Sequence, residues 1–361
     1  MIENIKIKNF KSLKNINLNL TNLNLLVGMN GMGKSSFIQV ILLLLQSNNL
    51  CSQGELLLSN FLVDIGKGKD ALYQFASDEK ISIHIKLSDN KEVEWQFNYD
   101  PINEKLYSNL NKKTDIISEF EDFQYISANR LGPQLLHNTS ISAIKKDFLG
   151  VKGEFAAHYL HINGNKQKIN EKLKHKKTEE LTLFNQVNGW MSEISPGVKI
   201  NITEVPNIDQ IILIYQFELG NGRTDYYKPQ NVGYGLSYVL PIIVSLLTSN
   251  ENKLIILENP ESHIHPRGQA ELGKLIALAA SNGAQLIVET HSDHIINGIR
   301  VAVKENQIEN NKVNISFFDK ITTKDEQFTN IDSIKIDKNG ELSEYPQNFL
   351  DEWDSQLMRL I

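Results

Sequence analysis

The chain has 361 residues, 41% hydrophobic and 22% charged, with a formal net charge of −6. That size and apolar content can bury the core of one large domain or two small ones. The acidic balance gives no global electrostatic pull toward nucleic acid, although it leaves room for a local basic groove. A single cysteine, Cys51, excludes an internal disulfide.

The start, Met1-Ile2-Glu3-Asn4, lacks the basic-then-apolar pattern of a secretion signal, and the apolar run at 37–45 is too short to cross a bilayer. A soluble, cytoplasmic protein is expected, with Cys51 a bystander because no base or second cysteine lies near it in sequence.

In chain order, alternating apolar residues predict strands over the opening segment, the last ending at Gly28. Apolar positions Phe37, Ile38, Ile41, Leu42 and Leu45 then fall at helical spacing. From about 50 to 130 the chain reads as mostly β, with a hairpin of 80–87 and 91–99 joined through Ser88-Asp89-Asn90. Helical patterning runs from about 140 to 195. It includes the basic run Lys174-His175-Lys176-Lys177 ahead of Glu179-Glu180, read as a solvated helix face. Strands follow at 198–205 and 210–219, then a helix at 236–247. A strand at 254–257, helix at 266–281, strand at 285–288 and helix at 294–305 predict a parallel sheet with crossovers. Short strands from 313 onward and a helix near 349–360 close the chain.

The chemistry starts at Gly28-Met29-Asn30-Gly31-Met32-Gly33-Lys34-Ser35, a G-x-x-x-x-G-K-S stretch between a strand and a helix. Its glycines let backbone N–H groups curl around phosphates, and the helix N-terminus behind it favours negative charge. Gly28, Asn30, Gly31, Met32, Gly33, Lys34, Ser35 and Ser36 are therefore the expected nucleotide-binding residues. The Lys34 ammonium neutralises phosphate oxygens, and the Ser35 hydroxyl ligates Mg2+.

The second piece is the apolar strand ending in Glu258-Asn259-Pro260-Glu261, which delivers carboxylates to the edge of an α/β sheet where ligands bind. Glu258 is the expected Mg2+ partner, through water, and Glu261 adds a carboxylate nearby. The third, Glu289-Thr290-His291-Ser292, puts His291 at the next strand end, where it could touch a γ-phosphate or an attacking water. Close-spaced His263, His265, His291 and His294 also admit a zinc reading. The fourth, Asn231 to Ser237, carries Gly233 and Gly235 just before a helix.

In this order the pieces resemble the ABC-type ATPases, and within them the bacterial AAA-family ATPases related to the overcoming-lysogenization-defect proteins. The resemblance rests on Lys8-Asn9-Phe10-Lys11-Ser12-Leu13, on Val232-Gly233-Tyr234-Gly235-Leu236-Ser237, on 258–266 and on 289–294. The stretch Tyr345-Pro346-Gln347-Asn348-Phe349-Leu350-Asp351 resembles a C-terminal element of unknown function from one branch.

The resemblance implies an α/β fold: a P-loop NTPase of the ABC-type head class, with a mixed or parallel sheet, a β insertion and a helical lobe. The core would come from 1–50 and 225–320, the β-rich insertion from 51–130, the helical lobe and strands from 131–224, and a C-terminal element from 321–361. It also implies a head-to-tail homodimer in which Gly233 and Gly235 of one subunit cap the ATP on the P-loop of the other. His291 then matches the switch histidine, Ser262 and His263 face the interface, and Lys11 matches a basic position near nucleotide.

Where the family usually has Asp-Glu, this chain has Glu258-Asn259, and an amide cannot act as a general base. Glu261 takes that work, or hydrolysis is slow. No appended nuclease domain is expected. The implied function is an ATP-driven switch controlling a separate nuclease or toxin in anti-phage defence. A DNA-maintenance ATPase with coiled-coil arms and a transporter's nucleotide-binding subunit are the alternatives.

Overall fold

The computed structural model describes residues 1–108, 122–347, 349–350 and 356–360. It divides into two compact units: Met1–Glu121 with Val313–Lys335 and Leu342–Ile361, and Asp122–Lys312 with Ile336–Glu341.

In the first unit the elements are β1 (Ile2–Phe10), β2 (Leu13–Asn19), β3 (Leu23–Val27), α1 (Lys34–Gln46), α2 (Asn48–Cys51), β4 (Glu55–Leu57), α3 (Gly68–Ala71), β5 (Lys80–Leu87), β6 (Glu92–Asn98) and β7 (Lys105–Ser108). The second holds β8 (Phe123–Ile126), β9 (Leu136–Asn138), α4 (Ile141–Lys145), α5 (Ala156–Asn163), α6 (Leu183–Ile194), β10 (Val198–Glu204), β11 (Gln210–Leu219), β12 (Gly222–Arg223), α7 (Tyr234–Leu247), β13 (Leu254–Glu258), α8 (Pro266–Ser281), β14 (Gln285–Glu289) and α9 (Asp293–Lys304). The chain then returns to the first unit as β15 (Val313–Thr322) and β16 (Gln327–Ile334).

The first unit carries an antiparallel sheet ordered β2-β1-β5-β6-β7-β4. Alternation sets its inner face: Ile5, Ile7, Ile83, Ile85, Trp95 and Phe97 are all buried. The β5–β6 hairpin forms as the sequence predicts, with Asn90 in the left-handed region at φ 64°. Beside this sheet, β15 pairs in parallel with the fully buried β3 and antiparallel with β16. Phe37 on α1 meets Phe318 on β15 edge-on at 6.1 Å. Cys51 is buried, and burial pushes its thiol up to about 12, consistent with a bystander.

In the second unit β8, β13 and β14 run parallel, with Ile256 opposite both Tyr125 and Ile287. The predicted crossovers are present, since α8 links β13 to β14. β8, from the stretch read as insertion, supplies an outer strand of this set. β10 and β11 form an antiparallel ladder from Val198↔Phe217 to Glu204↔Ile211, with β9 on the other side of β11.

Two expectations change. The basic run 174–177 is not a helix face: it lies in turns ahead of α6, and His175 points inward at 3% exposure. There His175 Nε2 meets Glu193 at 3.0 Å, and its backbone N–H donates to Gln186 Oε1 at 2.6 Å, so hydrogen bonding outweighs the charge pattern. The tail strands β15 and β16 have ten and eight residues rather than being short. The closing helix lies partly outside the described residues. No helix among the described residues is long and apolar enough to cross a membrane.

Candidate functional site

In the first unit the glycine-rich loop leaves β3 at Gly28 and enters α1 at Gly33. Gly28 has φ 128°, and a Cβ there would come within 2.2 Å of the Phe318 carbonyl oxygen, so only glycine fits between the two strands. Gly33 is the N-cap of α1 at φ 104°. No side chain caps that helix, and its first turn holds no acid. The Lys34 side chain is 3% exposed and curls back so that its ammonium donates to the carbonyl oxygens of Gly28 at 2.7 Å and Met29 at 2.8 Å. Asn30, Gly31 and Ser35 are exposed, Met32 and Ser36 are half-buried, and open space surrounds the Gly31 Cα.

An uncapped helix start behind a ring of backbone with a lysine at its centre fits a polyphosphate chain. Lys11 lies near α1, but its ammonium donates to Gln39 Oε1 at 2.7 Å, and burial lowers its pKa.

In the second unit Glu258 ends β13 level with Glu289 of β14. Its Oε2 accepts from the Ala128 N–H at 3.1 Å, and burial holds its carboxyl above the usual range against hydrogen bonds from Ala128 and Tyr125 and the charge of Arg130. Asn259 follows in the left-handed region at φ 44°. Its conformation is held by Arg130, whose Nη1 donates to the carbonyls of Ser127 at 2.9 Å and Glu258 at 2.7 Å, and whose Nη2 donates to that of Asn259 at 2.6 Å. Arg130 is 3% exposed and sits 5.5 Å from the Tyr238 ring of α7. Burial brings its pKa down to about 10, still cationic at neutral pH.

Glu261 spans the end of β14: Oε2 accepts from the Thr290 hydroxyl and Oε1 from the His291 N–H, both at 2.8 Å. The His291 residue is exposed just before α9, which Ser292 caps through Ile295 N–H at 3.1 Å. Glu258, Glu261 and His291 are thus gathered at the carboxyl ends of two neighbouring parallel strands.

The glycine stretch opens α7. Gly233 is its N-cap, exposed, with φ −61° and nothing within 4 Å of an added Cβ. Gly235 differs: it is buried, and a Cβ would meet the His263 carbonyl oxygen at 2.4 Å. The two glycines therefore serve different needs, one leaving the helix start open and the other letting α7 press against the loop after β13.

Among the described residues no three His, Cys, Asp or Glu side chains gather as a metal cage. His265 instead caps α8, and the His263 ring packs against Tyr238 at 4.7 Å. The zinc reading fails on that geometry. Ser35 in the first unit and Glu258 in the second are each, taken alone, a hard oxygen donor of the type that suits Mg2+.

Sequence reasoning missed Arg130 and Thr290. Arg130 had one weak signal, its place just after the short strand at 123–126.

Residues 23–297 match a family model described as "AAA domain, putative AbiEii toxin, Type IV TA system". The chain belongs to this family. Residues 308–360 match a second model, described as "Protein of unknown function (DUF3696)". No match is found among curated proteins.

Among solved structures, the family member resembles an SMC head bound to the C-terminal winged-helix domain of ScpA at TM-score 0.56 and 13% identity, covering 92% of this chain and 98% of that one. An SMC head with an extended coiled coil, bound to the C-terminal domain of ScpA derived from Pyrococcus furiosus, aligns at TM-score 0.52 and 13% identity over 100% and 99% of the two chains. At such identity these show the fold alone: a mixed α/β P-loop NTPase of the ABC type. Family and fold together make this an AAA/ABC-type ATPase.

Proposed function

We propose that the protein is an ATP-dependent switch of the branch related to the overcoming-lysogenization-defect ATPases, acting on a separate nuclease or toxin in anti-phage defence. The whole chain is one ABC-type head, with its core in 1–50 and 225–320, a β-rich insertion at 51–130, a helical lobe at 131–224 and a C-terminal element at 321–361. The observation that carries the nucleotide reading is the loop curled around the Lys34 ammonium ahead of an uncapped α1.

In this reading the loop N–H groups and Lys34 bind the β- and γ-phosphates, Ser35 would hold Mg2+, which would supply charge neutralisation at the phosphates, and Glu258 is proposed on its own strand as a metal-binding carboxylate. Glu261 and His291 order the water side. Gly233, at the open start of α7, faces the nucleotide of a second copy, so the active form is a homodimer closed by ATP.

Calorimetry with Mg-ATP tests the first step. Wild type should bind and Lys34→Ala should not; equal affinity would end the P-loop assignment. Light scattering tests the second, with a doubling of mass expected in ATP and Mg2+.

A further inference from the structure

The segment 308–360 carries no function in its family description, yet its first strands reach the phosphate loop. β15 lies in register with β3 from Val313↔Leu23 to Phe317↔Val27, which brings Phe318 against Gly28 where the loop begins. On β16, Thr329 is 2% exposed and makes three polar contacts. Its N–H donates to the Ser12 carbonyl at 2.9 Å, and its hydroxyl bonds the Met32 carbonyl at 2.9 Å and the Ser12 hydroxyl at 2.8 Å.

A hydroxyl has one proton and two lone pairs. The Met32 carbonyl can only accept, so it takes the Thr329 proton, and the Ser12 hydroxyl donates to Thr329 in turn. Gly33 completes the arrangement: a Cβ there would meet Thr329 Oγ1 at 2.4 Å and Ser12 Oγ at 2.9 Å. The peptide that immediately precedes α1 is thereby seated on two hydroxyls, one from the β1–β2 turn and one from the C-terminal segment.

We infer that Thr329, acting with Ser12, is a positioning residue for nucleotide, and that one function of the 308–360 segment is to set the phosphate loop from below. Fixing the Met32–Gly33 peptide aims the first N–H groups of α1 into the loop, so less order has to be imposed when phosphate binds. Thr329 touches no nucleotide itself. The inference rests on the P-loop reading above.

The test uses the full chain with Mg-ATP calorimetry and melting curves on Thr329→Val, Thr329→Ser, Ser12→Ala and the Thr329→Val/Ser12→Ala double variant. Thr329→Val keeps the shape and loses the proton, so its Kd should rise roughly tenfold, the scale of one buried hydrogen bond. Thr329→Ser should stay within about threefold of wild type, and the double variant should bind no worse than Thr329→Val alone, because the contacts form one chain. Should Thr329→Val not fold, Ser12→Ala reads the same chain from its other end and should weaken binding with an unchanged melting point.

Wild-type Kd in Thr329→Val or in Ser12→Ala overturns the inference. So does a Thr329→Ser variant as weak as Thr329→Val, which would assign the effect to the methyl group. A wild type that binds no Mg-ATP removes the P-loop reading and this inference together, whereas a binding wild type with indifferent variants removes only the inference.

Discussion

Arg130 closes on the carbonyl oxygen of Asn259 at 2.6 Å, and the same guanidinium holds the Glu258 carbonyl at 2.7 Å. The planar fork of arginine spans two successive carbonyls, which a lysine ammonium cannot do in the same way. It pins the backbone where Glu258, the carboxylate proposed to bind Mg2+, gives way to a residue at φ 44°. Arg130→Ala should therefore lower kcat for phosphate release at least tenfold while the Kd for Mg-ATP moves less than threefold. Arg130→Lys should fall between. A folded Arg130→Ala variant with wild-type kcat would show that β13 needs no such pin.

Glu261 is committed at both oxygens, to Thr290 and to the His291 N–H. Each oxygen keeps one further lone pair, so a role as base and a role as anchor for His291 both fit the geometry. Thr290→Val separates them. It removes the hydroxyl donor to Glu261, and with it the acceptor of the Ser292 N–H at 3.0 Å, while the Glu261 carboxylate and the His291 ring stay in place. If Glu261 anchors the histidine, Thr290→Val should lower kcat roughly tenfold and Glu261→Gln somewhat more. If Glu261 is the base, Glu261→Gln should cost about a hundredfold or more and Thr290→Val almost nothing. The double hydrogen bond leads us to expect the first pattern in single-turnover measurements.

These two predictions rest on contacts of unequal visibility in sequence. The phosphate loop was legible because its function requires glycines and a lysine at fixed local spacing, and the alternation of buried strands with α8 and α9 was legible for the same local reason. Arg130 and Thr329 were not. Their partners lie far along the chain, and neither periodicity nor composition encodes a hydrogen bond from residue 130 to residue 259 or from 329 to 32. His175 shows the opposite failure, since a run of four basic residues reads as solvent-facing until Gln186 and Glu193 draw one of them inside.

The two glycines at the start of α7 call for different probes. At Gly235 even alanine would press on the His263 carbonyl, so Gly235→Asp should lower the melting point by several degrees and confuse folding with function. Gly233 has an ordinary φ and open space, and aspartate is a favourable N-cap, so Gly233→Asp should melt within about 2 °C of wild type. It places a carboxylate where a second copy's phosphate would approach. Mg-ATP binding should persist and the ATP-dependent doubling of mass should vanish. If light scattering showed that doubling intact, Gly233 would have no capping role.

Cys51 offers a pH test of the fold. Its thiol is pushed up to about 12 by burial, whereas in the unfolded chain it titrates near 8.5. Above that lower value the unfolded state loses a proton that the folded state keeps, so stability falls as pH rises. Cys51→Ala removes this dependence at the cost of a small cavity. The melting point of wild type should drop more steeply between pH 8 and pH 10 than that of Cys51→Ala; parallel curves would mean that the thiol is not held protonated.

By the resemblance, Asn259 stands where ABC-type ATPases usually place a glutamate, and its backbone explains part of the choice. Asparagine tolerates the left-handed region better than glutamate does, and the Asn259 N–H is tied to the Glu289 carbonyl at 2.9 Å, so the chain cannot easily relax. Putting glutamate there should cost about 1 kcal/mol and lower the melting point by roughly 2–4 °C. Asn259→Gln carries the same backbone cost without the charge, so the difference between Glu and Gln at this position isolates the carboxylate. We expect Asn259→Glu to release phosphate at least tenfold faster than Asn259→Gln, because the proposed switch would gain a longer ATP-bound state from lacking a base here. The opposite order, with Asn259→Glu the slower, would mean that Glu261 already occupies the path of the attacking water and that the natural asparagine keeps a second carboxylate out of its way.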